Sequence, residues 1–407
     1  MFCRHCQREL KQIFCDLHTC PPSNAMLHES DLFTSEKYFP LMVFVCENCW
    51  LVQVEELEKA EDIFDSDYTY FSSYSKTWLL HAKQYADLMH ERFTLSNNSL
   101  VMEIASNDGY LLQYFNEKGI PVVGIEPSAN TAEVAIKKGI NTIIDFFGSE
   151  FARKNFQGKA DLIVGNNVLA HVPDINDFVS GVKVALKLNG VSTFEFPHIL
   201  SLINQNQFDT IYHEHFSYLS LISVKKIFEA WGLEIFDVEE LSTHGGSLRI
   251  YAQHSACGRR IENSVHEVLQ KEYDFGLATL APYMGFQTRI EKIKYEFLDF
   301  LLNTKKQNKV VVGYGAAAKG NTLLNFAGVK GTDLIKFVVD ASPHKQDRFL
   351  PGSRIPVVAE TELMQSKPDY IIIFPWNLTE EIMDQLSYVD EWGAKFVRFI
   401  PKFEKLN

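Results

Sequence analysis

Four consecutive residues, Tyr212, His213, Glu214 and His215, place two imidazoles, a carboxylate and a phenol in one short stretch of chain. Phe208, Ile211, Phe216, Tyr218 and Leu219 flank them, so a knot of ionisable groups sits among apolar neighbours. Such groups, once withdrawn from water, have to be paired or put to use. Three readings are open: a buried structural knot, a metal site or an acid–base centre. The metal reading is weak, because His213 and His215 at i, i+2 point to opposite faces of a strand and diverge on a helix, unlike the pair in H-E-x-x-H. The acid–base reading needs a histidine that titrates near neutral pH and a carboxylate to orient it, and Glu214 is the adjacent candidate. A second polar stretch, "STHGGSLRIY", offers His244, Gly245, Gly246 and Arg249 as close backbone approach and a cation.

The cysteines carry a different chemistry. Six of the seven lie in the first 49 residues, and four of these form two C-x-x-C knuckles, Cys3/Cys6 and Cys46/Cys49. An i, i+3 spacing on a tight turn lets both thiolates reach one ion, and two such turns complete a tetrahedral S₄ site. Thiolate softness favours zinc, and four bound thiolates leave no open catalytic position, so the expected zinc is structural. Cys15 and Cys20, with His18 between them, lack knuckle spacing and read as ordinary small residues. Disulfides would need a secreted chain, and "MFCRHCQREL" has no apolar core of a signal peptide.

Elements must position these groups, and the composition supports a sizeable fold. The 407 residues are 46% apolar and 22% charged, an ordinary globular balance with room for two to three domains. A net charge of −13 argues against nucleic acid or an anionic membrane as a partner. No apolar run approaches the length of a membrane span, so a cytoplasmic enzyme is the expectation.

From about residue 76 the pattern alternates strand and helix. "LVMEIASNDGYLLQYFNEKG" reads as a buried strand, a polar turn and an amphipathic helix; "PVVGIEPS" is the next strand and ends in Glu126. In a Rossmann-like fold the turn after the first strand approaches the ligand, and an acid at the tip of the second accepts hydrogen bonds from ribose hydroxyls. The turn has the form E-x-x-x-N-D-G, with Glu103, Ala105, Asn107 and Asp108, and not G-x-G-x-x-G. A dinucleotide pyrophosphate needs the glycine-rich helix start. Acids at this turn suit a cation instead, and S-adenosylmethionine is a sulfonium without phosphate. "INTIIDFFG" then reads as a strand leading to Asp145, a candidate for an adenine amino group. "NNVLAHVPD" places Asn166 and His171 just past another strand end, on the side where open α/β sheets bind ligands.

Farther on, "TRIEKIKYEFLDFLLNTKKQ" has Ile290, Ile293, Phe297, Phe300 and Leu301 at helical spacing and predicts a long helix. "KVVVGYGAAAKGNTLLNFAG" is a strand, a small-residue turn and a helix start. Its backbone N–H groups and Lys319 suit a diphosphate, and Asp340 stands where a ribose acid would. Alone, this turn also fits a nicotinamide-dependent oxidoreductase, although the third glycine is missing from its usual place.

The double knuckle, "YTYFSSYS", "EIASNDG", "NNVLAHVPD", "FDTIYHEHFSYLS", "HGGSLRIY", "GYGAAAKGNTLLN", "DASPHKQDRFLPGSRIPV" and "FPWN", taken in this order, resemble the S-adenosylmethionine-dependent deoxysugar C-methyltransferases, enzymes of nucleotide-linked 4-keto-6-deoxysugars. The resemblance covers essentially the whole chain. It implies an α/β protein of three parts: a small zinc-binding domain (1–75), a Rossmann-like methyltransferase domain (76–255), and a linking helix with a second Rossmann-like domain for the nucleotide sugar (256–407). Carried over motif by motif, Tyr68, His171, Tyr212, Glu214 and His215 form the active-site set, with His215 as the base that removes a proton from C3 of the sugar. Lys319, Asn321, Asp340, Lys345 and Trp376 become candidates for holding the nucleotide sugar, beside His244 and Arg249. Two positions depart from the family pattern: His213 replaces a smaller acid, and Ala105 stands where glycine is usual.

Overall fold

The computed structural model describes residues 1–57, 59 and 71–406. The chain packs into two compact units, each assembled from separated stretches. Met1–Gln12, Val45–Ile199 and His215–Leu280 make one; Ile13–Phe44, Leu200–Glu214 and Ala281–Asn407 make the other. Sequence order suggests three consecutive domains, whereas packing gathers residues 13–44 and 200–214 with the C-terminal residues. The N-terminal strands are β1 (Gln12–Cys20) and β2 (Phe39–Val45), neighbours in one sheet, followed by β3 (Val52–Val54).

The unit that contains the cysteine knuckles is built on a seven-stranded sheet. Its strands are β4 (Val101–Ile104), β5 (Val122–Ile125), β6 (Thr142–Ile143), β7 (Ala160–Asn166), β8 (Leu186–Pro197), β10 (Leu233–Leu241) and β11 (Ser247–His254), in the order β10-β11-β8-β7-β4-β5-β6. Strands β4 to β8 run parallel, and β10 and β11 are antiparallel. The short β9 (Ser217–Tyr218) pairs with β3 instead. "VMEI" and "VVGI" are buried at every position, as expected of parallel strands covered on both faces. The strand expected in "INTIIDFFG" shrinks to two residues, Thr142–Ile143. The helix Lys76–Arg92 begins where the Ser75 hydroxyl accepts the Trp78 N–H, and it buries Ala82, Tyr85, Ala86 and Met89 along one stripe against Leu112 and Phe115. Gly124 in β5 lets the turn after β4 pack close, because a Cβ there would lie 2.3 Å from Ser106 Oγ and 2.9 Å from its Cβ.

Chain order runs β4, β5, β6 outward on one side and then returns to β7 on the other, so the topology switches between β4 and β7. Ligands of open α/β sheets bind outside the carboxyl ends of the strands at such a switch.

The second unit repeats this plan. Strands β12 (Val311–Tyr314), β13 (Val338–Val339), β14 (Val357–Val358), β15 (Tyr370–Ile373), β16 (Lys395–Arg398) and β17 (Glu404–Leu406) lie in the order β14-β13-β12-β15-β16-β17, with only β17 antiparallel. The switch falls between β12 and β15. There Gly315, at φ 86°, lets the two strand ends approach; a Cβ would meet the Pro375 ring at 2.4 Å. The predicted long helix is Phe286–Lys306, and all five of its expected core residues are buried. No helix among the described residues is long and apolar enough to cross a membrane.

Candidate active site

The four knuckle cysteines converge. Their Sγ atoms all lie within 4.8 Å of one another, with Cys3–Cys49 and Cys6–Cys46 at 3.5 Å. Tetrahedral zinc with Zn–S near 2.3 Å separates its sulfurs by roughly 3.8 Å, so the cluster fits that ion. Each knuckle turns through a residue with positive φ directly after its second cysteine: Gln7 at 58° and Trp50 at 64°. Thiol donors from Cys3 and Cys49 push the Cys46 thiol down, toward the thiolate a metal requires. Gln53 Nε2 donates to Cys3 Sγ at 3.3 Å and steadies it from outside the cluster. Cys15 and Cys20 take no part.

At the switch of the seven-stranded sheet, the predicted donor-site residues gather at strand ends. Glu126, just past β5, accepts the Asn107 N–H at 2.8 Å through Oε2 and the Ser128 N–H at 2.9 Å through Oε1. Burial pushes its carboxyl up. Glu103, 1% exposed in β4, is raised well above the usual range by burial. Asn107 Oδ1 accepts the Ser72 N–H at 2.9 Å, and Asp108 Oδ2 lies 3.4 Å from Lys138 Nζ. The turn between them is left-handed at Ala105 (φ 53°) and Asn107 (φ 49°). Asn166 closes β7 at 7% exposure, and neither its Nδ2 nor its Oδ1 has a partner among the described residues. A buried amide with both ends unpaired at the carboxyl end of a strand is able to take a polar ligand there. Asp145 is exposed, with Oδ1 on the Phe146 N–H.

Two of the candidate histidines of this unit, His171 and His215, meet beside that switch. His171 ends the 3₁₀ turn Leu169–His171 that follows β7, and its ring lies 4.6 Å from that of His215 at an interplanar angle of 71°. Both are half-buried, and the Tyr218 ring stands 6.3 Å from His215. His244, at φ 53°, is within 2.9 Å of Asn167 Nδ2 through its Nε2. Arg249 departs from the open cation expected of it. At 4% exposure its guanidinium is engaged internally, with Glu195 at 3.0 Å and Glu239 at 2.8 Å. Its β11 position, opposite Glu195 of β8 in the ladder, forces that pairing. Burial raises the Glu195 carboxyl, but the His81 hydrogen bond and the Arg249 charge outweigh it and hold the group below its usual range.

The remaining candidates belong to the other unit. Glu214 is 3% exposed, and both its oxygens accept from Asn24 Nδ2, at 2.7 and 2.8 Å. Tyr212 is half-buried. His213 is buried with Nε2 at 3.1 Å from the Pro40 carbonyl, and burial draws its pKa down, so this substitution adds a neutral ring. Past β13, Asp340 accepts the Ala316 N–H through Oδ2 and the Ser342 N–H through Oδ1, each at 2.8 Å. This repeats the arrangement of Glu126, which likewise accepts from the loop after the first strand and from the residue two places on. Lys345 Nζ donates to the Ala316 carbonyl at 2.8 Å. Lys319 donates to Asn377 Oδ1 at 2.7 Å, and Trp376 Nε1 donates to Asp209 Oδ2 at 2.7 Å. Asn321 is fully buried, its Nδ2 on the Ser23 carbonyl at 2.6 Å. Tyr68 lies outside the described residues.

Sequence reasoning passed over Asn24 and Asp209. Each acquires its partner across more than a hundred residues of chain. Asp209 did carry one signal, its place as an acid between Phe208 and Thr210 in the motif "FDTIYHEHFSYLS".

Comparison with known proteins assigns the stretches. Residues 3–64 match a zinc binding domain, 78–238 a methyltransferase domain and 242–401 a C-methyltransferase C-terminal domain. C-methyltransferase NovU of Streptomyces niveus is 35% identical over 404 residues, covering 98% of this chain and 95% of that protein. Among solved structures, an S-adenosylmethionine-dependent methyltransferase from Clostridium acetobutylicum aligns at 12% identity over 43% of this chain and 91% of its own, with a TM-score of 0.36. Magnesium protoporphyrin IX methyltransferase of Synechocystis, with bound SAH, aligns at 16% identity over 43% of this chain and 82% of its own, also at 0.36. Scores this low carry no argument beyond the likeness.

Proposed function

The chain belongs to the C-methyltransferase family, and from that premise we propose that it methylates C3 of a nucleoside-diphosphate-linked 4-keto-6-deoxysugar, with His215 as base. The observation that supports this most is the His171–His215 pair, 4.6 Å between rings, half-buried beside the sheet switch. Two imidazoles so placed can divide the labour of enolisation, one taking a proton and the other donating to the oxygen that gains charge. S-adenosylmethionine, when bound, supplies an electrophilic methyl on a cationic sulfur.

Glu126, at the tip of its strand, is placed for ribose hydroxyls, and the unpaired Asn166 amide offers a donor and an acceptor to the amino-acid end of that donor. The 4-keto group acidifies the neighbouring C3–H. His215 removes that proton, and His171 donates a hydrogen bond to the enolate oxygen. The C3 electron pair forms the new C–C bond as the S–CH₃ bond breaks, leaving S-adenosylhomocysteine, and the proton stays on His215 until it exchanges with solvent. Glu214, gripped by Asn24 within its own unit, keeps with Tyr212 and Tyr68 the active-site role that the family resemblance implies. Lys319, Asn321, Asp340, Lys345 and Trp376 are the proposed contacts to the nucleotide.

The test is to incubate the enzyme with methyl-labelled S-adenosylmethionine and a panel of 4-keto-6-deoxysugar nucleotides, reading products by mass spectrometry. A labelled methyl on carbon is expected with the native enzyme. The His215→Asn variant should bind the methyl donor normally and lose turnover by about 10²- to 10⁴-fold. Label on oxygen or nitrogen, or native turnover in the variant, would sink the reading.

A further inference from the structure

The unit built on β12 to β17 contains a buried carboxylate to which none of the roles above gives a function. Asp209 lies in the 3₁₀ turn Phe208–Thr210 at 2% exposure. Its Oδ2 takes the indole N–H of Trp376, and its Oδ1 has no partner among the described residues. Lys319, in the first turn of the helix Ala318–Ala327, holds its Nζ 4.3 Å from the centroid of the same indole. Asp209 and Lys319 thus share Trp376, yet no ion pair joins them among the described residues. An acid kept from water, with one oxygen open and an ammonium nearby but out of ion-pair reach, is compensated only in part, by the Trp376 N–H and the backbone at Asp209 and Thr210.

We propose that Asp209 regulates, through its own proton, an anion subsite at Lys319 that takes the diphosphate of a nucleoside-diphosphate sugar: neutral Asp209 lets the ammonium hold the anion, and ionised Asp209 repels it. The inference rests on the reading of the substrate as nucleotide-linked. It makes Asp209 a positioning residue, acting through Lys319 and Trp376.

The electrostatics support the sign. Burial pushes the Asp209 carboxyl up to about 7, against the pull of the Lys319 charge, and burial draws Lys319 down to about 8, against the pull of Asp209. Below pH 7 the pair therefore carries one net positive charge, and above that the carboxylate cancels it. An arriving anion favours the protonated acid, so binding takes up a proton near neutrality. The surrounding charged and titratable groups are otherwise engaged. Glu214 is held by Asn24 and His213 by the Pro40 carbonyl, while Lys345 and Asp340 face each other at 3.9 Å.

The experiment is calorimetric titration of the full-length protein with thymidine diphosphate at pH 6.0 and 7.5. In the native protein affinity should fall over this interval, with proton uptake visible as a buffer-dependent enthalpy at pH 7.5. Asp209→Asn keeps an oxygen for the Trp376 N–H and removes the charge. It should bind about two- to fourfold more tightly than the native protein at pH 7.5 and nearly equally at pH 6.0. Equal or weaker binding by the variant at pH 7.5 overturns the proposal, as does a native affinity that lacks proton uptake, a measurement that needs no variant. Lys319→Met should abolish binding; if it does not, the anion sits elsewhere and the proposal falls. If the native protein binds no diphosphate at either pH, it is the nucleotide-linked reading that fails.

Discussion

Arg4 reaches out of the first cysteine knuckle and donates to the Pro173 carbonyl at 2.7 Å, two residues beyond His171. The same guanidinium donates to the Val54 carbonyl at 2.6 Å and lies 5.3 Å from the centroid of the Phe216 ring, next to His215. One side chain between two metal-ligand positions therefore braces the segments that carry both candidate catalytic histidines. Replacing Arg4 by Ala should reduce kcat by about tenfold while leaving the KM for S-adenosylmethionine unchanged, because the donor site at β4 and β5 is untouched. Steady-state kinetics with the donor varied give the split; a rise in that KM with kcat retained would contradict the bracing role.

Metal content should follow the knuckles alone. Ser at Cys46 or Cys49 should drop bound zinc from one per chain to a small fraction, as measured by elemental analysis, and lower the thermal midpoint. Ser at Cys15 or Cys20 should leave the zinc content intact. Chelation of the native protein should reproduce the kcat loss of Arg4→Ala, since the knuckle that aims Arg4 would no longer be fixed.

Glu195 offers a stability prediction with a definite sign. Its carboxyl is held below its usual range in the folded protein, so the stabilisation is complete above the unfolded value near 4.5 and is lost as pH falls through the depressed folded value. Glu195→Gln leaves Arg249 with Glu239 as its remaining carboxylate partner and removes one charge-assisted bond inside the sheet, at a cost of about 2 kcal/mol near pH 7. Urea unfolding should show that difference at pH 7 and a shrinking one below about pH 4.5; a constant difference across this range would exclude the ion pair as its source.

Ala105 holds a left-handed conformation that glycine adopts without penalty. Ala105→Gly should therefore be neutral or stabilising by up to about 1 kcal/mol, against the usual destabilisation on introducing glycine. Equilibrium unfolding decides it, with loss of more than that amount counting against strain at this turn.

Much of this architecture was readable beforehand where chemistry and spacing coincide. The knuckles announced their cluster because an i, i+3 thiol pair has few other uses, and the helix Phe286–Lys306 announced its buried face by periodicity. The strand-tip acids Glu126 and Asp340 lie where strand–turn–helix reasoning puts them. Arg249 was misjudged because its partner Glu195 comes from the neighbouring strand, and strand register is not written in a local pattern. Asn24 and Asp209 were passed over for a related reason: each matters through contacts that the tertiary fold creates. The regrouping of residues 13–44 and 200–214 with the C-terminal residues escaped notice as well, since motifs are read in chain order and packing is not.

The backbone passes from one unit to the other after Gln12, Phe44, Ile199, Glu214 and Leu280. No single proteolytic cut can release either half whole, and a fragment ending at residue 280 would carry loose stretches whose natural company is missing. Chimaeras that swap the donor-handling half between relatives at one junction should misassemble, because each half is drawn from separated stretches of chain. The fourth of these passages divides Tyr212–His215 itself, making that tetrapeptide the least portable sequence in the protein.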